Sequence, residues 1–200
     1  GSSLAPLIYG GLESVRKWSD VNQINVDWHT MAEFLKTLDR RKLGVNFGTL
    51  VGHATIRRAL TGEAYRDLTL GELDVFKKLL SDALEEGAFG LSTGLGYVHT
   101  RNVPYAELRE LAKIVAEHRG VSTTHLRSEK EGIVAAVEET LKLSQETGAE
   151  VMISHFKPIV QFEQEFKQAL ALLTAPNVHI STYPYDTSVI PIYTLLPQWA

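Results

Sequence analysis

Two hydrophobic periods alternate along this chain. Short runs rich in apolar, β-branched and small residues fall at 44–51 (GVNFGTLV), 88–95 (AFGLSTGL), 121–126 (VSTTHL), 150–155 (EVMISH) and 178–183 (VHISTY). Runs of this composition, bounded by Gly, Pro or Asn, predict strands. Between them the apolar positions step by three and four, which predicts amphipathic helices. Leu73, Phe76, Leu80 and Ala83 share one face over 71–86. Leu108, Leu111, Ala112 and Val115 do so over 105–118, Ile133, Val137 and Leu141 over 133–145, and Phe162, Phe166, Leu170 and Leu173 over 162–173. Gly87, Gly120 and Gly148 follow the helical runs, where a left-handed C-cap favours glycine. Ahead of the first strand, 31–42 (MAEFLKTLDRRK) reads as another helix, and Leu12, Val15 and Trp18 suggest a shorter one.

Strand starts at 88, 121, 150 and 178 repeat at the length of one βα unit, and such units build a parallel sheet with helices outside it. Serial units without the glycine-rich turn of a dinucleotide fold point to a (β/α)₈ barrel of the TIM type. Five units make a partial barrel. Residues 1–200 are therefore expected to be the central portion of one barrel domain. The start at Gly1 and the apolar close LLPQWA read as cut ends of a longer protein.

Composition narrows the function more than the fold. A net charge of −4 gives no electrostatic case for nucleic acid or an anionic membrane surface, and no apolar run has the length of a membrane span. The chain has no cysteine, so no thiol nucleophile or disulfide within it, and a cytoplasmic location is the expectation. The expected partner is a small molecule.

The candidate chemistry lies at two strand ends. His125 closes VSTTH and His155 closes EVMISH, one repeat later. In such a barrel the active site lies at the C-terminal strand ends, and neighbouring strands lie about 4.8 Å apart. Two imidazoles so placed can share one metal ion, zinc being a common choice. The alternative is a pair of rim histidines, each satisfied by a local hydrogen bond. Arg127 and Lys157 each lie two residues beyond a histidine and, on an extended chain, point to the same side. Two cations beside a metal suit an anionic substrate such as a carboxylate, or else they pair with rim Asp or Glu. His53 in VGHATIRR reads as a structural residue at a helix start. His29, His99 and His118 read as surface or loop positions, and His179 as a residue of the opposite barrel end.

Taken together, GAFGLSTGLGYV (87–98), TTHLRSE (123–129), MISHFK (152–157), STYPYDTS (181–188), LVGHATIRR (50–58) and TLLPQWA (194–200) resemble the D-aminoacylase (N-acyl-D-amino-acid deacylase) branch of the amidohydrolases. The resemblance runs through the whole chain in order. It implies strands three to seven of a metal-dependent amidohydrolase barrel and a hydrolase using one or two Zn²⁺ ions on an N-acyl-D-amino acid. It implies His125 and His155 as metal ligands. It implies Tyr97, Lys157 and Tyr185 as contacts to the carboxylate and amide region of the substrate, with Ser188 in the same loop and Arg127 a motif residue. GSSLAPL resembles the segment directly after a zinc-ligating Cys, which puts that Cys and a His-x-His pair ahead of Gly1. The general-base Asp is expected beyond Ala200, so the chain alone is expected to lack activity. The rival readings are a cyclic amidase of the dihydroorotase or hydantoinase kind and a non-catalytic barrel scaffold. The cyclic amidases usually carry a carboxylated Lys on strand four, and FGLSTGL has none.

Overall fold

Five short parallel strands lie side by side in chain order in the computed structural model, which describes residues 1–8, 20, 26–62 and 64–187. They are β1 (Val51–Gly52), β2 (Gly90–Gly94), β3 (Val121–His125), β4 (Glu150–Ile153) and β5 (Val178–Ile180). The described helices are α1 (Met31–Arg40), α2 (His53–Thr61), α3 (Leu70–Glu85), α4 (Tyr105–Glu117), α5 (Ile133–Thr147) and α6 (Glu163–Leu172). Each strand pairs with the next one in sequence, and the order never reverses. That is the succession of a barrel rather than of a doubly wound sheet, whose order reverses at its switch point. The fold is α/β, a partial (β/α)₈ barrel. None of the described helices is long and apolar enough to cross a membrane.

Local chemistry explains the element boundaries. Thr69 caps α3 and Thr30 caps α1, each in a reciprocal capping box with the glutamate three residues on, Glu72 and Glu33. Gly148 takes the left-handed conformation that ends α5. At the end of α4 the left-handed residue is Arg119 (φ 55°), one position before the expected Gly120. There the Arg119 N–H bonds the Ala116 carbonyl and the Gly120 N–H bonds that of Val115, the paired bonds of a Schellman motif. Gly120 is needed instead for its small size, since a Cβ would lie 3.1 Å from the Phe89 carbonyl oxygen.

Two expected strands are shorter than the hydrophobic pattern suggests. The run 44–51 forms sheet only at Val51–Gly52. Val45 and Phe47 are exposed, and the Phe89 N–H is what still reaches back to the Thr49 carbonyl. Two glycines, Gly44 and Gly48, leave this run little side chain to pack. The run 178–183 pairs only over Val178–Ile180. The helix start read at His53 is where α2 opens. The short helix expected around Leu12, Val15 and Trp18 lies outside the described residues.

The helices bury their apolar faces against the strands. Phe76 and Leu80 of α3 and Leu111 and Val115 of α4 pack with Val51, Leu91, Met31 and Phe34. Ile133 and Val137 of α5 pack with Ile153, Phe156 and Ala169. Each such side chain stabilises the fold by about 1.5–3 kcal/mol. Between α2 and α4 lies a buried polar knot. His53, 0% exposed, lies with its Nε2 2.8 Å from Oε1 of Glu107, itself 5% exposed. Arg57 Nε donates to the same carboxylate at 3.1 Å, and its guanidinium also donates to the Arg66 carbonyl. Burial alone raises the Glu107 pKa, but the hydrogen bond and charge of His53 and the charge of Arg57 outweigh it and hold the pKa below the usual value.

Removing one partner of a buried ionic group strands the others. Glu107→Ala is therefore expected to destabilise the protein by about 3 kcal/mol in urea denaturation. Because folding depresses the Glu107 pKa, its contribution is complete above the unfolded carboxylate pKa. It is lost as pH falls through the lower folded value. The variant's deficit should shrink correspondingly in acid, and a deficit independent of pH would contradict the ionic account.

Candidate metal centre

Strand register brings the two histidines together. Gly94 is level with His125, and Thr124 with Ile153, so β2, β3 and β4 end on one rim. His125 is the last residue of β3, and His155 lies two beyond β4. Their rings are 4.7 Å apart between centroids, and His125 Nδ1 lies 2.9 Å from His155 Nε2.

The backbone at His155 is bent to achieve this. His155 has φ 44°, in the left-handed region that a side chain enters at a cost of about 1–3 kcal/mol. Ser181, just past β5, holds the bend. Its hydroxyl accepts the His155 N–H at 3.1 Å, its carbonyl accepts the Phe156 N–H at 2.7 Å, and its own N–H donates to the Ile153 carbonyl at 2.9 Å. Phe156 is buried against Phe166, which anchors the next residue in the core. Strain held in place by its surroundings is characteristic of functional sites.

The loop after β2 supplies one wall. The Tyr97 ring stacks on the His125 imidazole at 4.8 Å and 15°, and the His99 ring lies nearly parallel to Tyr97 at 6.3 Å. His99 is a loop residue, as read from the sequence, and is part of this wall. Gly96 makes the stack possible, because a Cβ there would lie 2.6 Å from His125 Nε2. The loop after β3 supplies an acid. Glu129 Oε1 lies 2.8 Å from His155 Nδ1 and 3.8 Å from His125 Nδ1. His125, Glu129 and His155 form the one metal-capable cluster of three among the described residues. Glu129 was not a sequence candidate. Its signal is its place in TTHLRSE, one loop residue among several charged ones.

Burial lowers the His125 pKa, with the charge of Glu129 working against this and that of His155 adding to it. Burial, with the charge of Glu129, raises the pKa of Tyr97, which so remains a hydroxyl donor at neutral pH. Gly1–Ser3 lie along the start of α2: the Gly1 carbonyl accepts the Ala54 N–H, and the Ser3 N–H donates to the Thr55 hydroxyl.

The other candidates are placed differently from the sequence reading. Arg127 makes a two-pronged contact with Glu139 of α5, at 3.0 and 2.8 Å, and donates to the carbonyls of Arg101 and Val103. It braces two loops, which is the rim-pairing alternative and not a cation offered to a substrate. The extended-chain argument for Lys157 also fails, because the left-handed turn at His155 intervenes. Lys157 Nζ instead lies 4.2 Å above the Tyr183 ring. Tyr185, 70% exposed, lies in the loop after β5, its ring centroid 6.4 Å from that of Tyr183. Ser188 lies outside the described residues. His53 is tied to Glu107, His179 bonds Glu150, and His118, partly buried, bonds the Ile114 carbonyl.

The donor set fits zinc. Two nitrogens on a tetrahedral zinc, each about 2.0–2.1 Å from it, stand about 3.3 Å apart. His125 Nδ1 and His155 Nε2 are within a few tenths of an ångström of that.

No family model matches the chain. It is 32% identical over 191 residues to the D-aminoacylase of Alcaligenes xylosoxydans xylosoxydans, covering 92% of this chain and 39% of that protein. It is 35% identical over 164 residues to the N-acyl-D-glutamate deacylase of the same organism, covering 79% of this chain and 34% of that one. A crystal structure of D-aminoacylase, described as defining a novel subset of amidohydrolases, matches with a TM-score of 0.75 at 29% identity, over 92% of this chain and 40% of that one. The N-acyl-D-glutamate deacylase of Bordetella bronchiseptica, complexed with zinc and a phosphonate mimic of the tetrahedral intermediate, matches with a TM-score of 0.69 at 32% identity, over 79% of this chain and 35% of that one. The chain thus spans less than half the length of the relatives it matches. Sequence and fold agree along that span: the chain belongs to the D-aminoacylase family of amidohydrolases.

Proposed function

We propose that the protein carrying this chain is a zinc-dependent hydrolase that deacylates N-acyl-D-amino acids. The observation that carries the reading is the His125–His155 pair, with ligand-type nitrogens 2.9 Å apart at adjacent strand ends, in a chain of this family. A bound zinc supplies Lewis acidity and lowers the pKa of water. His125 Nδ1 and His155 Nε2 would hold it. One or two ions are in keeping with the binuclear centre named for a D-aminoacylase of 27% identity, in which one metal activates and the second attenuates.

The chain's own residues bind and orient. Tyr97 presents a protonated hydroxyl next to His125, suited to donating to an acyl oxygen as charge develops there. Lys157 in the loop after β4, Tyr185 in the loop after β5 and Ser188 would hold the α-carboxylate and so fix the amide against the metal. The family resemblance implies a general-base Asp in addition to these residues. β2 carries no lysine, which disfavours the cyclic-amidase reading with its carboxylated Lys.

His155→Ala in the whole protein is expected to abolish stoichiometric zinc, measured by metal analysis after dialysis, and turnover of N-acyl-D-amino acids with it. Retention of both would refute the assignment. Lys157→Met removes a charge-assisted hydrogen bond of about 1.5–3 kcal/mol, so KM should rise about 10–100-fold with zinc content unchanged. An unchanged KM would remove Lys157 from the carboxylate site.

A further inference from the structure

Glu129 is left unused by the mechanism above, yet it makes the shortest polar contact of His155's Nδ1 in the site. We propose that Glu129 is a positioning residue: its carboxylate accepts the Nδ1–H of His155 and thereby reserves Nε2 as the lone pair facing His125. The metal part of this inference rests on the zinc reading above, whereas the contact itself does not.

Three observations carry it. First, the geometry divides the two ring nitrogens of His155, with Nδ1 2.8 Å from Glu129 Oε1 and Nε2 2.9 Å from His125 Nδ1. An ionised carboxylate only accepts hydrogen bonds, so the proton of a neutral His155 must sit on Nδ1. Nε2 is then the acceptor, and in the metal-free protein His125 donates its Nδ1–H to it. Free neutral imidazole side chains favour the opposite tautomer, so something must hold this one. Ligating histidines are commonly held by such a partner on the other nitrogen.

Second, the loop that carries the carboxylate is anchored. Arg127, two residues earlier, is tied on one side to Glu139 of α5 and on the other to the carbonyls of Arg101 and Val103. The loop that carries Glu129 is thus fastened to both neighbouring elements. Third, the other end of His155 is equally constrained, since Ser181 pins its left-handed backbone. With the backbone held by Ser181 and Nδ1 by Glu129, the ring has one orientation, and it aims Nε2 at His125.

The direct test reads the histidine tautomers by long-range ¹H–¹⁵N correlation in the metal-free whole protein, with zinc affinity measured by chelator competition. Wild type and Glu129→Gln, whose amide oxygen still accepts the bond, should show His155 protonated on Nδ1, and Glu129→Ala should shift it toward Nε2–H. Zinc affinity should fall about 10–100-fold in Glu129→Ala and no more than about threefold in Glu129→Gln. A wild-type His155 protonated on Nε2 would overturn the proposal. So would an equal loss of zinc in both variants, which would make Glu129 a direct ligand. Should Glu129→Ala fail to fold, the wild-type tautomer and Glu129→Gln still decide. Failure of the zinc reading is separable, because it would show as zinc retained by His155→Ala whatever the tautomer.

Discussion

The site depends on one constraint, the in-register pairing of β3 with β4. Parallel strands lie about 4.8 Å apart, so side chains at the same level on neighbouring strands are held at a fixed spacing. Thr124 opposite Ile153 sets that level, and the bend at His155 converts strand spacing into a nitrogen–nitrogen distance of 2.9 Å. Two imidazoles this close repel if both are charged. Burial of His125 and the charge of His155 lower the His125 pKa. Two imidazole nitrogens at this spacing are what a borderline-soft cation takes as ligands.

The supporting structure is built outward from that pair. Ser181 brings β5 into it by fixing the backbone of His155, and Phe156 connects the same turn to the apolar layer between β4 and α6. Gly96 and Tyr97 bring in the loop after β2, and Arg127 joins that loop to the one after β3. Every βα unit from β2 to β5 therefore contributes to two side chains. The knot of His53, Arg57 and Glu107 is of another kind. It joins α2 to α4 with its carboxylate shared by two partners inside the fold, and its contribution is to stability.

Periodicity made the architecture legible in the sequence. Strand starts at regular intervals and helices with one apolar face determined the parallel order, and the helix bounds agree to within a few residues. The pattern failed at 44–49, where two glycines interrupt the β-type composition and only the Phe89 N–H reaches back to Thr49. Repetition also exposed His125 and His155, because equivalent positions on successive strands stand out. What it concealed were side-chain commitments made across loops. For Arg127 the sequence left open a substrate cation or a rim ion pair, because its distance from His125 in sequence says nothing of Glu139, twelve positions on. Lys157 was read from an extended backbone that the left-handed residue at 155 interrupts. Glu129 lies in a loop with no period, so only folding shows that it meets His155.

The central claim is that one metal ion sits between His125 and His155. Crystals of the whole protein with zinc, with diffraction recorded on both sides of the zinc absorption edge, test it most directly. The account predicts an anomalous peak about 2.0–2.1 Å from both His125 Nδ1 and His155 Nε2. A peak elsewhere, or an imidazole pair still hydrogen-bonded to each other at saturating zinc, would contradict it.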